Sequence, residues 1–512
     1  MLRFRGLRSP KLVRGADSML FLSVDMIKEA EARAMENVSA MHLIENAARA
    51  CFNEIKEFGS VRVYCGKGQN GSDGYATAIL LKKHGKRVEI VQVMEPSTEE
   101  ARILARKAVE EEIPLLPSVT FPTEQFDCTL DAIFGIGIKG EVTDENVIRA
   151  IDMINASDTY VVSCDVPSGM DADTGKEAGV CVKADKTVTF TAPKKGMLSN
   201  ESVKLCGEIV IAEVGIPVDY NSITQSTCVP LTDKLVKTIL PERSRYSHKG
   251  TFGTAVIIAG SQTMSGAAAM AAQSALRSGC GLVKILAPAP ICGILNILVK
   301  EAIIIPMPHQ NGVMLPNLTE DAAYAIKTAG SVLVGCGIGR GNHAELIGNI
   351  LNCASCPVII DADGINALAG KKDIIRNKNV LLTPHVKEFS RISGKTVGEI
   401  ESNRIEIADK FAQDMGINLL LKGARTVITY GGTNQYVSPI STSALAKAGS
   451  GDILAGIIVS LAAQGLSLTD SAAAGCYIHA RAGVICEKEI GAYGVTADDI
   501  ISKIPVAIRE VK

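Results

Sequence analysis

Short apolar runs alternate with stretches whose apolar positions recur three or four residues apart, and this alternation constrains the fold more than any other feature of the chain. In the first half, residues 61–65, 88–93, 129–134 and 160–164 read as strands, with helical patterns over 73–84, 98–110 and 146–156 between them. That rhythm predicts an α/β fold, a parallel sheet covered by helices on both faces. It also predicts where chemistry sits, because loops leaving the carboxyl ends of such strands carry the site. At 512 residues the chain is too long for one core, since single cores stop growing near ~250–300 residues. The pattern breaks around Pro217, Pro230 and Pro241, then resumes with strand-like runs at 255–259, 282–286, 331–334, 358–361, 380–383 and 418–421. The expected organisation is an extension over 1–22, a domain over 23–217, a linker over 218–232 and a second domain over 233–512. The halves share an architecture but no repeated motif, which suits a fusion and not a duplication.

Composition excludes several classes of function. Formal net charge is −2, aromatics are 4% and Trp is absent. The chain therefore offers neither a basic field nor a stacking platform, and no nucleic-acid partner is expected. No apolar stretch reaches the ~18–20 uncharged residues of a membrane span; the best candidate, 453–468, holds Gly, Ser and Gln and reads as a buried helix. Fourteen cysteines are scattered from Cys51 to Cys486, a usage that suits small buried thiols in a reducing cytoplasm. The CxxC of Cys353 and Cys356 has no second pair to complete a zinc site, so structural thiols are expected there. Arg3, Arg5, Arg8, Lys11 and Arg14 face one acid, Asp17, in the first 18 residues. A transit peptide could look like that, but a ragged start before Met19 is the preferred reading.

Three strand ends carry candidate chemistry in the first half. The loop from Gly66 to Gly74 satisfies G-x-G-x-x-G, yet Asp73 falls at the expected helix start. There it would repel phosphates and compete for the amides that a dinucleotide fold presents. An Asn–Asp pair suits a cation or a hydrogen-bonded substrate instead; a plain helix cap would account for Asp73 but not for Asn70 and its glycines. Asp131 ends the next strand before the Gly135-Ile136-Gly137 loop, and Asp165 ends another before Pro167-Ser168-Gly169. Carboxylates gathered in this way repel one another unless something pairs with them.

Together these segments resemble the NAD(P)H-hydrate epimerase domain, with its G-N-N-G-G-D-G loop and D-(I/V)-P-S-G-x-D-x-x-T-G signature. Leu43-Ile-Glu45-Asn46-Ala47 is similar to its L-M-E-N-A helix, while Gln69 and Ser72 depart from the loop. The resemblance covers about 23–215 and implies a Rossmann-like fold. It implies that Asn70, Asp131 and Ser168 bind K⁺. By the same resemblance Gln69, Asn70, Gly71, Ser72, Asp73, Gly135, Ile136, Gly137, Ile138, Lys139, Gly140, Glu141 and Asp165 line the substrate site, with Asp165 as acid/base carboxylate.

In the second half, Ala446-Lys447-Ala448-Gly449-Ser450-Gly451-Asp452 opens a long apolar run. A glycine loop at a helix start gathers free amides and the helix dipole on one spot, which suits a phosphate in transfer. Asp452 there is placed to accept a proton from a hydroxyl nucleophile. This loop resembles the ribokinase-like superfamily, and more narrowly the ADP-dependent (S)-NAD(P)H-hydrate dehydratases. Ser265-Gly-Ala267, Gly335-Cys-Gly337-Ile-Gly339, Asp361-Ala-Asp363, Thr383-Pro-His385-Val-Lys-Glu388 and Leu421-Lys422-Gly423 support the resemblance over about 230–508. Cys336, the Val386-Lys387 pair and Lys447-Ala448 depart from the family pattern.

The resemblance implies that Lys422, Gly423, Ala424, Arg425, Thr426, Thr442, Ser443, Ala444, Leu445, Ala446, Lys447, Ala448, Gly449, Ser450 and Gly451 hold the nucleotide. It implies substrate contacts from Ala267, Gly337, His385, Val386, Lys387, Glu388, Phe389, Ser390, Arg391 and Asp452, Asp452 being catalytic. For His385 a packed structural histidine is the competing reading.

The implied activity is repair of hydrated nicotinamide cofactors: epimerisation of R and S NAD(P)HX, then dehydration of the S form with ADP as phosphoryl donor, giving AMP and phosphate. K⁺ in the first site, Mg²⁺ in the second and a cytoplasmic homo-oligomer acting on NADHX and NADPHX complete the expectation. The rival is a ribokinase-like kinase for a vitamin or sugar alcohol with a non-catalytic ligand-binding first domain.

Overall fold

A computed structural model describes residues 20–117, 124–138, 140–218, 228–431 and 435–512. The described residues fall into two compact units, 20–218 and 228–512.

In the first unit, strands β1 (Ser60–Cys65), β2 (Arg87–Gln92), β3 (Leu115–Pro117), β4 (Cys128–Ala132), β5 (Tyr160–Cys164), β6 (Lys186–Phe190) and β7 (Glu208–Ala212) form one sheet in the order β3-β2-β1-β4-β5-β6-β7. Every pairing is parallel. The sheet is buried on both faces: Val61, Val63 and Cys65 pack with Ile44, Cys51 and Leu81, while Tyr64 packs with Ile133, Ile151 and Ile154. Helices on those faces start where short polar side chains meet free amides. Ser39 caps Ala40–Ile55, Thr98 caps Glu99–Glu110, and Asp144 caps Glu145–Ala156. The strand order turns back on itself between β1 and β4, so the crevice beyond their carboxyl ends is where a ligand belongs.

Three expectations need correction here. The helix after β1 is Gln69–Lys83, starting a full turn before Asp73. Gly71 lets the loop fold that tightly, because a Cβ there would lie 2.0 Å from the Gly66 carbonyl oxygen. Asp73 is therefore a buried second-turn residue, which removes the capping reading. Leu20, Phe21 and Leu22, expected in an extension, are buried, and Leu22 bridges to Lys194.

The second unit holds β8 (Cys228–Pro230), β9 (Thr254–Ile258), β10 (Leu282–Pro288), β11 (Ile303–Met307), the β12–β13 hairpin (His309–Gln310 and Val313–Met314), β14 (Ser331–Val334), β15 (Val358–Ile360), β16 (Val380–Leu382), β17 (Asn418–Leu421), β18 (Val427–Thr429) and β19 (Gln435–Val437). Its main sheet runs β11-β10-β9-β14-β15-β16-β17-β18-β19-β8. Pairings from β11 to β17 are parallel, and β18 runs against both neighbours. The third correction is β8, which lies inside the expected linker and pairs with β19. Proline read as a breaker, but Pro230 is tolerated on an edge strand, where its missing N–H has no partner to lose.

The apolar run after Gly451 becomes the helix Ser450–Ala463, buried along almost its whole length. Gly456 brings it against Ser265–Arg277: a Cβ there would lie 2.2 Å from the Ala271 carbonyl oxygen. Among the described residues no helix is long and apolar enough to cross a membrane.

Candidate active sites

In the first unit, the loops after β1, β4 and β5 open into a cavity of about 760 Å³ lined by Gln69, Asn70, Asp73, Phe134, Gly135, Ile136, Gly137, Ile138, Gly140, Glu141 and Asp165, with Lys28, Glu31 and Lys67 at other points of its wall. Gly68 opens the helix Gln69–Lys83 without a side-chain cap, which leaves its first amides for a ligand. Asn70 is buried and its Nδ2 has no partner. Asp73 is held well above the usual carboxylate range, first by burial and then by the charges of Asp165 and Glu31. Glu31 is raised by burial first and then by the charge of Asp165, with Lys194 and Lys28 opposing.

Asp131 has no exposure and accepts four hydrogen bonds. Ser168 Oγ donates to Oδ1 at 2.5 Å, Ser168 N to Oδ2 at 2.9 Å, Ser163 Oγ to Oδ2 at 2.8 Å and Ile133 N to Oδ1 at 3.3 Å. Burial raises its pKa against these bonds, and no cationic side chain among the described residues pairs with it. Asp165 follows β5 at φ +67°, outside the range most side chains adopt. Its Oδ1 accepts from Lys194 Nζ and from Phe190 N. Lys194 carried no signal of period or motif in the sequence; only the fold brings it to Asp165.

In the second unit, the chemistry gathers at the N-terminus of Ser450–Ala463, where Gly449 has φ +89° and supplies no side-chain cap. Lys422 Nζ donates to Asp361 Oδ1 at 2.7 Å, and a Cβ on Gly451 would sit 3.4 Å from that ammonium. Burial works against the Lys422 charge, but Asp361, Glu388 and Cys336 outweigh it and its pKa rises. Asp452, in the helix's first turn, is pushed up to about 6 by burial first and then by Asp361, against the Cys336 hydrogen bond and Lys422. Asp363 Oδ2 accepts from Gly339 N at 2.9 Å, which ties the 335–339 loop to the end of β15. His479 Nε2 lies 3.2 Å from Ser450 Oγ, its pKa lowered to about 4 by burial and by Lys422.

The fold brings many of the expected residues together. A Cβ on Gly337 would meet Ala267 Cβ at 2.7 Å, and His385 forms a backbone bridge with Lys422. His385 also caps its helix: Nδ1 accepts from Lys387 N at 3.0 Å, and Glu388 Oε2 accepts from His385 N at 2.9 Å. Other members face elsewhere. Phe389 is buried against Phe411, and Arg425 is buried with Nη1 donating to the Pro439 carbonyl at 2.9 Å. Thr442 Oγ1 donates to Glu487 Oε2 at 2.6 Å, and Lys447 Nζ to the Tyr493 carbonyl at 2.7 Å. Lys139 lies outside the described residues. Sequence reasoning assigned no role to Asp361 or Glu487; the Asp361-Ala-Asp363 motif at a strand end was the available signal for the first.

A family model described as NAD(P)H-hydrate dehydratase matches residues 255–506, and one described as the YjeF-related protein N-terminus matches 40–196. The bifunctional NAD(P)H-hydrate repair enzyme of Moorella thermoacetica is 32% identical over 494 residues, covering 93% of this chain and 92% of its own. The enzyme of the same name from Dictyoglomus turgidum is 33% identical over 514 residues, covering 96% and 99%. A crystal structure of the ADP/ATP-dependent NAD(P)H-hydrate dehydratase from Bacillus subtilis, co-crystallized with ATP/Mg²⁺, is 27% identical with a TM-score of 0.47, covering 55% of this chain and 98% of its own. The rival reading, a small-molecule kinase with an accessory first domain, is not favoured, because relatives that run through both units carry one name as repair enzymes. The chain belongs to the family of bifunctional NAD(P)H-hydrate repair enzymes.

Proposed function

We propose that residues 20–218 interconvert the R and S epimers of NAD(P)HX, and that residues 228–512 return the S epimer to NAD(P)H with ADP as phosphoryl donor. The observation that carries the reading is Asp452 in the first turn of a glycine-opened helix beside Lys422. Asp452 takes the proton of the substrate hydroxyl as its oxygen attacks the β-phosphorus of ADP, and AMP leaves. The free amides at 449–451 and Lys422 face the charge that develops on the transferred group. Phosphate then departs where hydroxide could not: the C–O bond breaks, the neighbouring carbon loses a proton, and the ring double bond returns.

In the first unit, the C–OH bond breaks and reforms on the other face, so one group must supply and recover a proton. Asp165 is that group, with Gln69–Asp73 and Gly135–Glu141 around the substrate. K⁺ fits Asn70, Asp131 and Ser168, because each offers a hard oxygen donor and the buried Asp131 carboxylate has no cationic side chain paired with it among the described residues. Bound there, it would supply positive charge beside the substrate site. Mg²⁺ fits differently: among the described residues no three acids, histidines or thiols gather to hold a metal. It would arrive on the nucleotide phosphates, with Asp361 and Asp452 the carboxylates at the loop. Work in a reducing cytoplasm fits the mostly buried cysteines scattered through both units, and self-association fits the exposed apolar side chains of Ile294, Ile297 and Ile303.

Incubation with mixed NADHX epimers, with and without ADP, tests the reading by NADH absorbance. With ADP both epimers are consumed, the R form through the S form. No NADH with ADP present would overturn the second activity, and a trace that stops at the S fraction would overturn the first.

A further inference from the structure

We propose that Lys194 is a positioning residue of the epimerase site, pinning one oxygen of Asp165 so that the other is presented to the cavity; this rests on the reading of Asp165 as the acid/base carboxylate. The Lys194 side chain has no exposure at all. Its ammonium donates to Asp165 Oδ1, to Thr189 Oγ1 at 2.8 Å and to the Phe190 carbonyl at 3.0 Å. That fills the three donors a lysine has. A buried charge pair is a poor source of stability, because an apolar residue of the same volume usually does as well or better. The role of the pair is therefore geometric.

The geometry is specific. Asp165 N donates to the Val188 carbonyl at 2.8 Å, which fixes the backbone against β6 at an unfavourable φ. Oδ1 takes two donors, Lys194 Nζ and Phe190 N, whereas no donor among the described residues reaches Oδ2. A Cβ on Gly135 would sit 3.4 Å from Oδ2, so the free oxygen faces the loop that lines the cavity. Two deeply buried carboxylates line that cavity, Asp73 and Asp165, and Lys194 bonds only the second. The lysine is itself braced on both sides of the chain. Leu22 N donates to the Pro193 carbonyl at 2.9 Å, and Lys195 N donates to the Leu22 carbonyl at 2.8 Å. Side chain and backbone thus hold the ammonium still, and through it the carboxylate.

The test follows R-to-S conversion by chromatography of the two epimers without ADP, using the full chain and three variants. Lys194→Met should lower kcat about 10²-fold while KM stays within about threefold, as expected when a reacting group is misplaced by roughly 1 Å and the substrate still binds. Lys194→Ala should recover part of kcat, saturably, with methylammonium and not with tetramethylammonium at the same ionic strength. Wild-type kcat in Lys194→Met would overturn the inference. So would a loss in which the melting transition of the epimerase unit disappears as well, or a folded Lys194→Ala that neither amine restores. Asp165→Ala separates the two levels of the argument. If it keeps the wild-type rate, the reading of Asp165 fails; if it is inactive while Lys194→Met is normal, only the positioning role fails.

Discussion

Lys422 and Asp361 meet at 2.7 Å, Nζ to Oδ1, beside the loop in which Gly451 leaves no side chain between that ammonium and the helix N-terminus. The pair joins the end of β15 to the end of β17, and Asp361 also bears on Asp452. Asp361→Asn removes the charge that helps to hold Asp452 near 6 and loosens Lys422. The acid limb of the dehydration rate should move to lower pH, and kcat/KM for ADP should fall about tenfold, the scale of one charge-assisted hydrogen bond. A pH–rate profile whose acid limb does not move would reject the coupling.

Asp452→Asn keeps the size of the side chain but cannot accept a proton. Dehydration should fall about 10²–10⁴-fold, while conversion of R to S continues. In the wild type the base must be ionised, so the dehydration rate should rise through pH 6 and level off above it. Stability runs the other way. A carboxyl raised in the folded state binds protons there that the unfolded chain has released, so its contribution is lost as pH rises from about 4 to about 6. The Asn variant should therefore melt higher than the wild type at pH 8, with the gap closing toward pH 4. Near-wild-type NADH regeneration would sink the catalytic assignment.

Removing the Asp131 carboxylate strands donors from Ser163, Ser168 and Ile133 in a site with no exposure. Asp131→Ala should cost on the order of 3 kcal/mol of stability and slow R-to-S conversion, with extra K⁺ restoring it only in part. An unchanged rate at both low and high K⁺ would reject the cation site.

A chain beginning at Ser23 lacks Leu20, Phe21 and Leu22, together with both backbone bonds that brace the Lys194 segment. Such a truncation should lower the melting temperature of the epimerase unit and the R-epimer rate, and leave repair of S-NADHX at its full-length speed. Calorimetry showing an unshifted first transition would refute the brace.

The sequence by itself determined the architecture: alternation with period 3.6 between apolar runs can be satisfied only by strands buried on both faces and helices that cover them, so the central strands were legible from 61–65 to 418–421. It also marked where candidate chemistry was to be sought, since Asn70, Asp131, Asp165 and Asp452 stand at or beside glycine-rich breaks in that rhythm. Tertiary structure decided the rest. Pro230 read as linker because a missing N–H is a local property, whereas its position on a sheet edge is not. Asp73 read as a helix start because nothing local announces that Gly66 and Gly71 pack backbone on backbone and begin the helix at Gln69. Lys194 meets Asp165, and Lys422 meets Asp361, across separations of 29 and 61 residues. A charge has no period, so its partner is chosen only when the sheet order has brought two strand ends side by side.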